Sequence, residues 1–409
     1  MENNTKWRGR FLTIAIGQAI SLIGSSAVQF ALIWWLAEQT ASPMIMGVAG
    51  LAAYLPMAFL SPFAGVAADK YSRKIICITA DLSMGLAALT AAFLLNAITF
   101  PIWAVLVILF VRGIGGTFHQ PAIQSIIPQL VPAEELVRVN GWMQLMTAGS
   151  FILGPVIGAA LYAALPMSLV LLTDVIGAIF ASAALAAVKI PRLENHERHK
   201  VGFFAHFKEG IQVYREDKKL LTLIIAEVLC MLFFAPLSTF YPLMTSDYFD
   251  LSAMYGSIVE VAFAAGMMIA AVLFGSVLKI KNKIRTSYLG LWGIGVATTI
   301  CGLMPATFVG WIIFAGTCAA MGAFGNVHGI PLTAYIQETV APEKMGRAFS
   351  LIGQVTAFTM PIGLLISSPV AEKMGVHMWF LISGLGILLI LVILIGIGGL
   401  LKKKRSPLT

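Results

Sequence analysis

The sequence predicts an all-α polytopic membrane protein, twelve transmembrane helices in two six-helix pseudo-symmetric halves. Three observations predict it. Of 409 residues, 59% are hydrophobic and only 11% charged, and the mean hydropathy is +0.89. A soluble domain carries about a quarter charged residues. The apolar residues gather into twelve runs, each close to the roughly 20 residues that a helix needs to cross the hydrocarbon core. Positive charge is confined to alternate connections between those runs, which is the pattern of a chain threaded repeatedly through a bilayer.

The first run, 11–36, follows Lys6, Arg8 and Arg10. It exceeds the roughly 7–15 apolar residues of a cleaved signal and reads as a membrane helix. The second (44–67) and third (75–95) flank a short charged stretch, Gly65-Val66-Ala67-Ala68-Asp69-Lys70-Tyr71-Ser72-Arg73-Lys74. The others are 102–127, 139–165, 167–188, 220–245, 254–278, 286–304, 308–334, 348–370 and 376–401. Between the sixth and seventh lies the one long connection, 189–219, rich in Lys, Arg, Glu and His. It divides the chain into a first bundle (1–188), a linker and a second bundle (220–409). Phe203, Phe204, Phe207, Ile211 and Tyr214 stand at helical spacing in the linker, so part of it is expected to lie as an amphipathic helix on the inner leaflet.

Placing the amino terminus, every even-to-odd connection and the carboxyl tail on one side puts all of the 27 Lys and Arg there except Arg112 and Lys373. That side is expected to be the cytoplasm. The net charge of +8 is thereby explained by topology, and no nucleic-acid partner is expected. Cys77, Cys230, Cys301 and Cys318 lie inside apolar runs without metal-ligand spacing, which argues against a disulfide framework and against a metal site. No Gly-x-x-x-x-Gly-Lys-Ser/Thr stretch exists for a nucleotide. Nor is there a nucleophile elbow or a loop with paired carboxylates, so the chain is not expected to be an enzyme.

The halves repeat. Gly65 and Gly275 are 210 residues apart, and the same offset pairs Gly115 with Gly325, Pro121 with Pro331, Ile126 with Ile336, Pro132 with Pro342 and Gln144 with Gln354. A repeat in the same sense implies two bundles related by an axis along the membrane normal. At that offset Asp69 falls on Lys279 and Arg73 on Lys283, so only the first charged connection keeps an acid.

Residues 65 to 74 resemble the loop motif Gly-x-x-x-Asp-Arg/Lys-x-Gly-Arg-Lys/Arg of the major facilitator superfamily, with Ser72 in place of the second Gly. Phe110-Val111-Arg112-Gly113-Ile114-Gly115-Gly116 resembles the superfamily's intramembrane Arg motif, and Gly154-Pro155-Val156-Ile157-Gly158 the core of its antiporter motif. The chain further resembles the bacterial macrolide-efflux (Mef-type) drug:proton antiporters in Gly17-Gln18-Ala19-Ile20-Ser21-Leu22-Ile23, Phe118-His119-Gln120-Pro121-Ala122, Leu130-Val131-Pro132-Ala133-Glu134-Glu135, Gly346-Arg347-Ala348-Phe349-Ser350-Leu351-Ile352-Gly353 and Met360-Pro361-Ile362-Gly363-Leu364.

The resemblance implies the major facilitator fold in a bacterial cytoplasmic membrane. It implies efflux of hydrophobic drugs, macrolides first, by antiport with protons and alternating access. No cofactor is implied beyond the proton gradient, and the partners are the drug, protons and membrane lipid. A separate ATP-binding protein stays open as a further partner. Export of a siderophore or lipid-like metabolite on the same fold is the alternative, and a non-transporting sensor a remote one.

A charge in mid-membrane costs roughly 2.5 kcal/mol or more, which makes each such residue a functional hypothesis. The resemblance gives Arg112, halfway along the fourth run, a role in proton coupling. A fixed structural ion pair is the plainer reading. Glu260 and Glu227, six to seven residues into the eighth and seventh runs, are candidate proton carriers, since low dielectric favours a neutral carboxyl. Ser257, Glu260, Phe263 and Met267 share one helical face, and so do Glu227, Phe234, Ser238 and Tyr241 if Pro236 leaves the register intact. Acid, aromatic and Met on one face suit a cationic apolar drug.

Asp81, near the start of the third run, is a candidate for coupling or simply a partner for Arg73 or Lys74. Asp174, at the outer start of the sixth run, is a further candidate for proton coupling, placed to line an exit path. Gln18, Ser21, Ser25 and Gln29 form a polar stripe on the first run, for substrate or for helix packing, and Phe324 lies in a row that His328 ends. His119 is seven residues from Arg112 on the same face, about 10 Å along a helix. Both histidines are expected to make interhelical hydrogen bonds. For gating, Gly65 would allow close helix approach and Gly154 with Pro155 a kink. Asp69 would latch onto the amino end of the eleventh helix, while Arg73 and Lys74 hold carboxylates or lipid headgroups.

Overall fold

The computed structural model describes residues 3–97, 101–132, 135–190, 212, 214–276, 280–340 and 342–403. The helices are α1 (Asn3–Thr40), α2 (Pro43–Lys70), α3 (Arg73–Ala97), α4 (Ile102–Leu130), α5 (Leu136–Ala164), α6 (Met167–Ala187), α7 (Lys218–Phe234), α8 (Leu237–Leu243), α9 (Ala253–Ser276), α10 (Lys283–Leu303), α11 (Phe308–Thr339), α12 (Pro342–Met374) and α13 (Val376–Lys403). A π-helical turn, Met244–Tyr248, continues α8. With α7 and α8 it makes one span, Lys218–Tyr248, so twelve helices among the described residues are long and apolar enough to cross a membrane. That is the number the apolar runs predict.

Several helices outrun those runs. α1 begins at Asn3 and α12 at Pro342, eight and six residues before the expected starts. Apolar length marks the part of a helix that lipid can surround, whereas the backbone hydrogen bonds continue into polar turns on either side. Pro56, Pro62, Pro121, Pro128, Pro155, Pro331, Pro361 and Pro369 all sit inside helices. Neighbouring helices satisfy the freed carbonyls in such a setting. Pro236 instead interrupts a membrane span, separating α7 from α8. Of the expected linker helix, 203–211 lies outside the described residues. Tyr214 is described and is buried against Leu220, Leu223 and Leu332.

The helices fall into two compact units, one comprising Met1–Ala41, Val48–His199 and Ser252–Ser257, the other Ser42–Gly47, Lys200–Leu251 and Ile258–Thr409. In the first, α1 packs on α5 and α6, and α3 on α4 and α6. The approach of α1 to α5 is very close. A Cβ placed on Gly158 would lie 2.5 Å from the Ala27 carbonyl oxygen, and one on Gly154 would lie 2.4 Å from the Ser26 Cβ. Lipid gives no hydrophobic drive for helices to associate, so contact surface gained through small residues takes its place. The expectation for Gly65 differs: a Cβ there meets nothing within 4 Å, so close approach does not explain it.

In the second unit α10 packs on α11 and α13, and α7 on α12 and α13. Asp217 caps α7, accepting from the backbone N–H of Lys219 at 2.8 Å and of Leu220 at 3.3 Å. Its other oxygen accepts the Tyr335 hydroxyl of α11 at 2.6 Å. Burial pushes the Asp217 carboxyl up, but the hydroxyl and the two amides outweigh it and hold the group below the usual aspartate range. One acid thus fixes both the start of α7 and its distance from the end of α11.

Candidate functional site

The charged connection between α2 and α3 acts as a set of helix caps. α2 runs on through Asp69 to Lys70, and Tyr71 and Ser72 turn the chain into α3. The last carbonyls of any helix lack intrahelical partners and carry partial negative charge, so cations gather there. Arg73 Nε donates to the Ala68 carbonyl at 3.0 Å and Nη1 to the Ser125 carbonyl at 2.9 Å. Lys74 Nζ donates to the Ala186 and Val188 carbonyls at 2.8 and 2.9 Å. Both cations are thus bound to backbone carbonyls. The motif ties α2 and α3 to α4 and to the end of α6 within the first unit. The expected latch falls on the Asp69 side chain and on those of residues 346 and 347, which lie outside the described residues.

The interior of the first unit holds a charged network joining three helices. Arg112 of α4 is 9% exposed and Asp174 of α6 is 3% exposed. Arg112 Nη1 pairs with Asp174 Oδ2. The Ser25 hydroxyl of α1 donates to Asp174 Oδ1 at 2.6 Å, and Arg112 Nη2 donates to the Ser25 carbonyl at 2.8 Å. Asp174 is therefore the counter-ion of Arg112. The reason is geometric: α6 packs against α1 and α3 and carries its acid inward, where Arg112 stands.

Ser25 belongs to this network, and Ser21 lies beside Gly177 of α6, where a Cβ would stand 3.1 Å from the Ser21 Cα. Gln18 is buried with Nε2 unpaired among the described residues, while Gln29 is half-buried. The stripe on α1 is thus turned at least in part toward α6.

Asp81 of α3 meets neither expected cation. It is buried and faces His119 of α4, with Nε2 3.4 Å from Oδ1. His119 follows Arg112 by two turns along α4, so the Arg112–Asp174 pair and the His119–Asp81 contact lie in series in this unit.

In the second unit Glu338, near the end of α11, pairs with Lys283 at 2.7 Å, whereas Glu227 and Glu260 have no Lys or Arg within ion-pair distance among the described residues. Glu227 of α7 lies 4.0 Å from His328 Nε2 of α11, with Oε2 buried and without a hydrogen-bond partner among the described residues. A cavity of about 180 Å³ between α7 and α12 is lined by Glu227, Ile224, Val228, Leu351, Val355 and Thr356. Glu260 of α9 is half-buried. On the same face Phe263 is half-buried and Met267 exposed, with ring centroids of Phe263 and Tyr241 6.4 Å apart.

The expected face shared by Glu227, Phe234, Ser238 and Tyr241 does not form. The break at Pro236 exposes Ser238, whose hydroxyl turns back to the Ala235 carbonyl at 2.9 Å. Tyr241 instead enters an aromatic cluster with Phe314 and Phe380 at centroid distances of 6.2 and 5.7 Å. Phe234 packs on the core around Cys230 and Leu291, and Phe324 covers Gly293 of α10. Sequence reasoning misses Ser287 altogether, because a buried Ser on an apolar helix is too common to stand out.

The Major Facilitator Superfamily pattern matches residues 14–364. Macrolide efflux protein A of Streptococcus pyogenes is 36% identical over 394 residues, covering 96% of this chain and 97% of that protein. Macrolide efflux protein A of Enterococcus faecalis is 34% identical over 324 residues, 79% of this chain and 99% of that one. Among solved structures, a point mutant of the nucleoside transporter NupG superimposes with a TM-score of 0.73 at 10% identity, covering 95% of this chain and 99% of that chain. A bacterial homologue of the iron transporter ferroportin gives 0.70 at 16% identity, covering 95% and 98%. At such identities the likeness is one of fold. Together with two helical units, twelve spans and charges buried among them, these relationships make the chain a member of the Major Facilitator Superfamily, on its macrolide-efflux branch, and a membrane transporter rather than an enzyme.

Proposed function

We propose that this transporter exports hydrophobic drugs, macrolide antibiotics first, in exchange for protons and by alternating access. The observation that carries the substrate class is the 36% identity, over 96% of the chain, with Macrolide efflux protein A. Proton exchange is supported by the acids. Glu227 and Glu260 lie within spans, and no Lys or Arg is within ion-pair distance of either among the described residues. An acid without a permanent counter-ion can gain and lose a proton, which a fixed ion pair resists. Glu260, Phe263 and Met267 then form the face that receives the drug, an anionic group and polarisable apolar surface for a cationic apolar molecule. The confinement of Lys and Arg to alternate connections supports a bacterial cytoplasmic membrane with both termini inside.

The test is erythromycin accumulation in pump-deficient bacteria. Cells making the protein are expected to hold severalfold less drug than cells with empty vector, and a protonophore is expected to raise them to the empty-vector level. Accumulation equal to empty vector without the protonophore rules out macrolide export. Low accumulation that survives the protonophore rules out the proton as the energy source.

A further inference from the structure

We propose that Glu227 and His328 bind one proton in common, as a single site held in place by Ser287. Ser287 sets the histidine tautomer. His328 Nδ1 lies 3.2 Å from the Ser287 backbone carbonyl oxygen and 2.7 Å from the Ser287 hydroxyl. That hydroxyl has its own acceptor, the His328 carbonyl, at 3.0 Å. A carbonyl can only accept, so the contact at Nδ1 is favourable only when Nδ1 carries the hydrogen. In a neutral ring Nε2 is then bare. It faces Glu227 Oε1 at 4.0 Å, and neither Nε2 nor Glu227 Oε2 has a hydrogen-bond partner among the described residues.

Two lone pairs confronted in a buried site repel. One added proton removes the conflict, whether it resides on the carboxyl and is donated to Nε2 or on the ring and is donated to the carboxylate. The charge balance favours the same outcome. With the proton the pair is neutral overall; without it the pair carries one negative charge inside a membrane span, at a cost of roughly 2.5 kcal/mol or more. Among the described residues, the remaining polar groups around the pair add no compensating cation. Cys230 is on the next turn of α7, Tyr288 comes from α10, and Tyr214 comes from just before α7. From α11 comes Tyr335, which is bound to Asp217. α12 contributes Leu351, Val355 and Thr356, and α13 Ile387 and Leu391. The 180 Å³ cavity beside Glu227 exceeds the roughly 30 Å³ share of one water, so there is room for a proton to arrive on water.

The first unit holds a related contact, with its histidine one residue out of the repeat's register. The 210-residue offset places Cys77 on Ser287. Cys77 Sγ lies against the His119 carbonyl at 3.9 Å, just as Ser287 bonds the His328 carbonyl. His119 in turn faces Asp81 at 3.4 Å, with Asp81 Oδ2 and His119 Nε2 both lacking hydrogen-bond partners among the described residues. Nearby charges there are Arg112 on α4 and Arg73 and Lys74 at the start of α3. Each unit thus sets a histidine, on α4 or α11, against a carboxylate of another helix, which is α3 in the first unit and α7 in the second.

The role of this site in transport rests on the proton-antiport reading above; its proton binding does not. The test is pH-titrated infrared difference spectroscopy on the purified full-length protein, following the carboxylic-acid carbonyl band. Glu227→Gln is expected to remove one titrating carboxyl signal. His328→Gln is expected to move the midpoint of that signal by about one pH unit or more, as for strongly interacting sites. Ser287→Ala, which removes the hydroxyl contact at Nδ1 and leaves the backbone carbonyl of residue 287, is expected to move it in the same direction by less and covers a failure of the histidine variant to fold.

A signal that His328→Gln and Ser287→Ala leave at the wild-type midpoint overturns the shared site, as does a spectrum that Glu227→Gln leaves unchanged. A shared midpoint in a protein whose vesicles move no protons on adding erythromycin upholds the site and overturns proton antiport.

Discussion

Asp174→Asn is expected to destabilise the first unit by about 3–5 kcal/mol, the cost of leaving a buried charge without its partner, and to abolish drug export. Arg112 would keep its bond to the Ser25 carbonyl and lose the only carboxylate within ion-pair distance among the described residues. Thermal unfolding followed by tryptophan fluorescence in detergent measures the first effect, and drug accumulation the second. The two effects separate in a double variant. Replacing both members of a buried pair by apolar residues of similar volume is often neutral or stabilising by about 1–4 kcal/mol. Arg112→Met with Asp174→Leu is therefore expected to restore the melting temperature while export stays absent. Full export by the double variant would reduce the pair to a strut. Ser25→Ala should fall between, since it removes one hydrogen bond to the charged Asp174, typically worth about 1.5–3 kcal/mol.

The second large effect concerns the contact between α1 and α5. Gly158→Val places carbon against the Ala27 backbone, 2.5 Å from its carbonyl oxygen and 3.1 Å from its Cα. Backbone cannot step aside without moving the helix. Overpacking of this kind costs typically about 1–3 kcal/mol and sometimes more, and the expected outcome is a lower melting temperature together with loss of export. Gly154→Ala differs, because the nearest atoms are the Ser26 Oγ and Cβ. Adding Ser26→Gly is expected to rescue Gly154→Ala, whereas Ala27→Gly should not rescue Gly158→Val. Equal rescue in both cases would show that the two glycines do not pack as described.

Much of this architecture was legible in the sequence, and the limits have physical causes. The twelve spans follow from apolar length alone, and each intramembrane charge stands out against its run. What sequence does not encode locally is which charges meet. Arg112 and Asp174 are 62 residues apart, and their pairing depends on how α4 and α6 pack around α1.

Backbone acceptors are also invisible in sequence. Arg73 and Lys74 look like partners for acids or lipid, yet they cap carbonyls at the ends of α2 and α6. Helical register fails where the helix itself breaks. Glu227 and Tyr241 stand fourteen residues apart, and the interruption at Pro236 turns Tyr241 into an aromatic core. The tautomer of His328 is set by Ser287 on another helix, so the sequence offers two histidines but not the acids that face them.

The central claim is that drug and protons exchange through one chain, and reconstitution tests it most directly. Purified protein in liposomes with an acidic lumen is presented with labelled erythromycin and a pH-sensitive dye inside. Drug is expected to accumulate in the lumen, its entry to speed lumenal alkalinisation, and an ionophore that collapses the pH gradient to stop both. Drug entry at the same rate with and without the gradient, or with no change in lumenal pH, would contradict the claim.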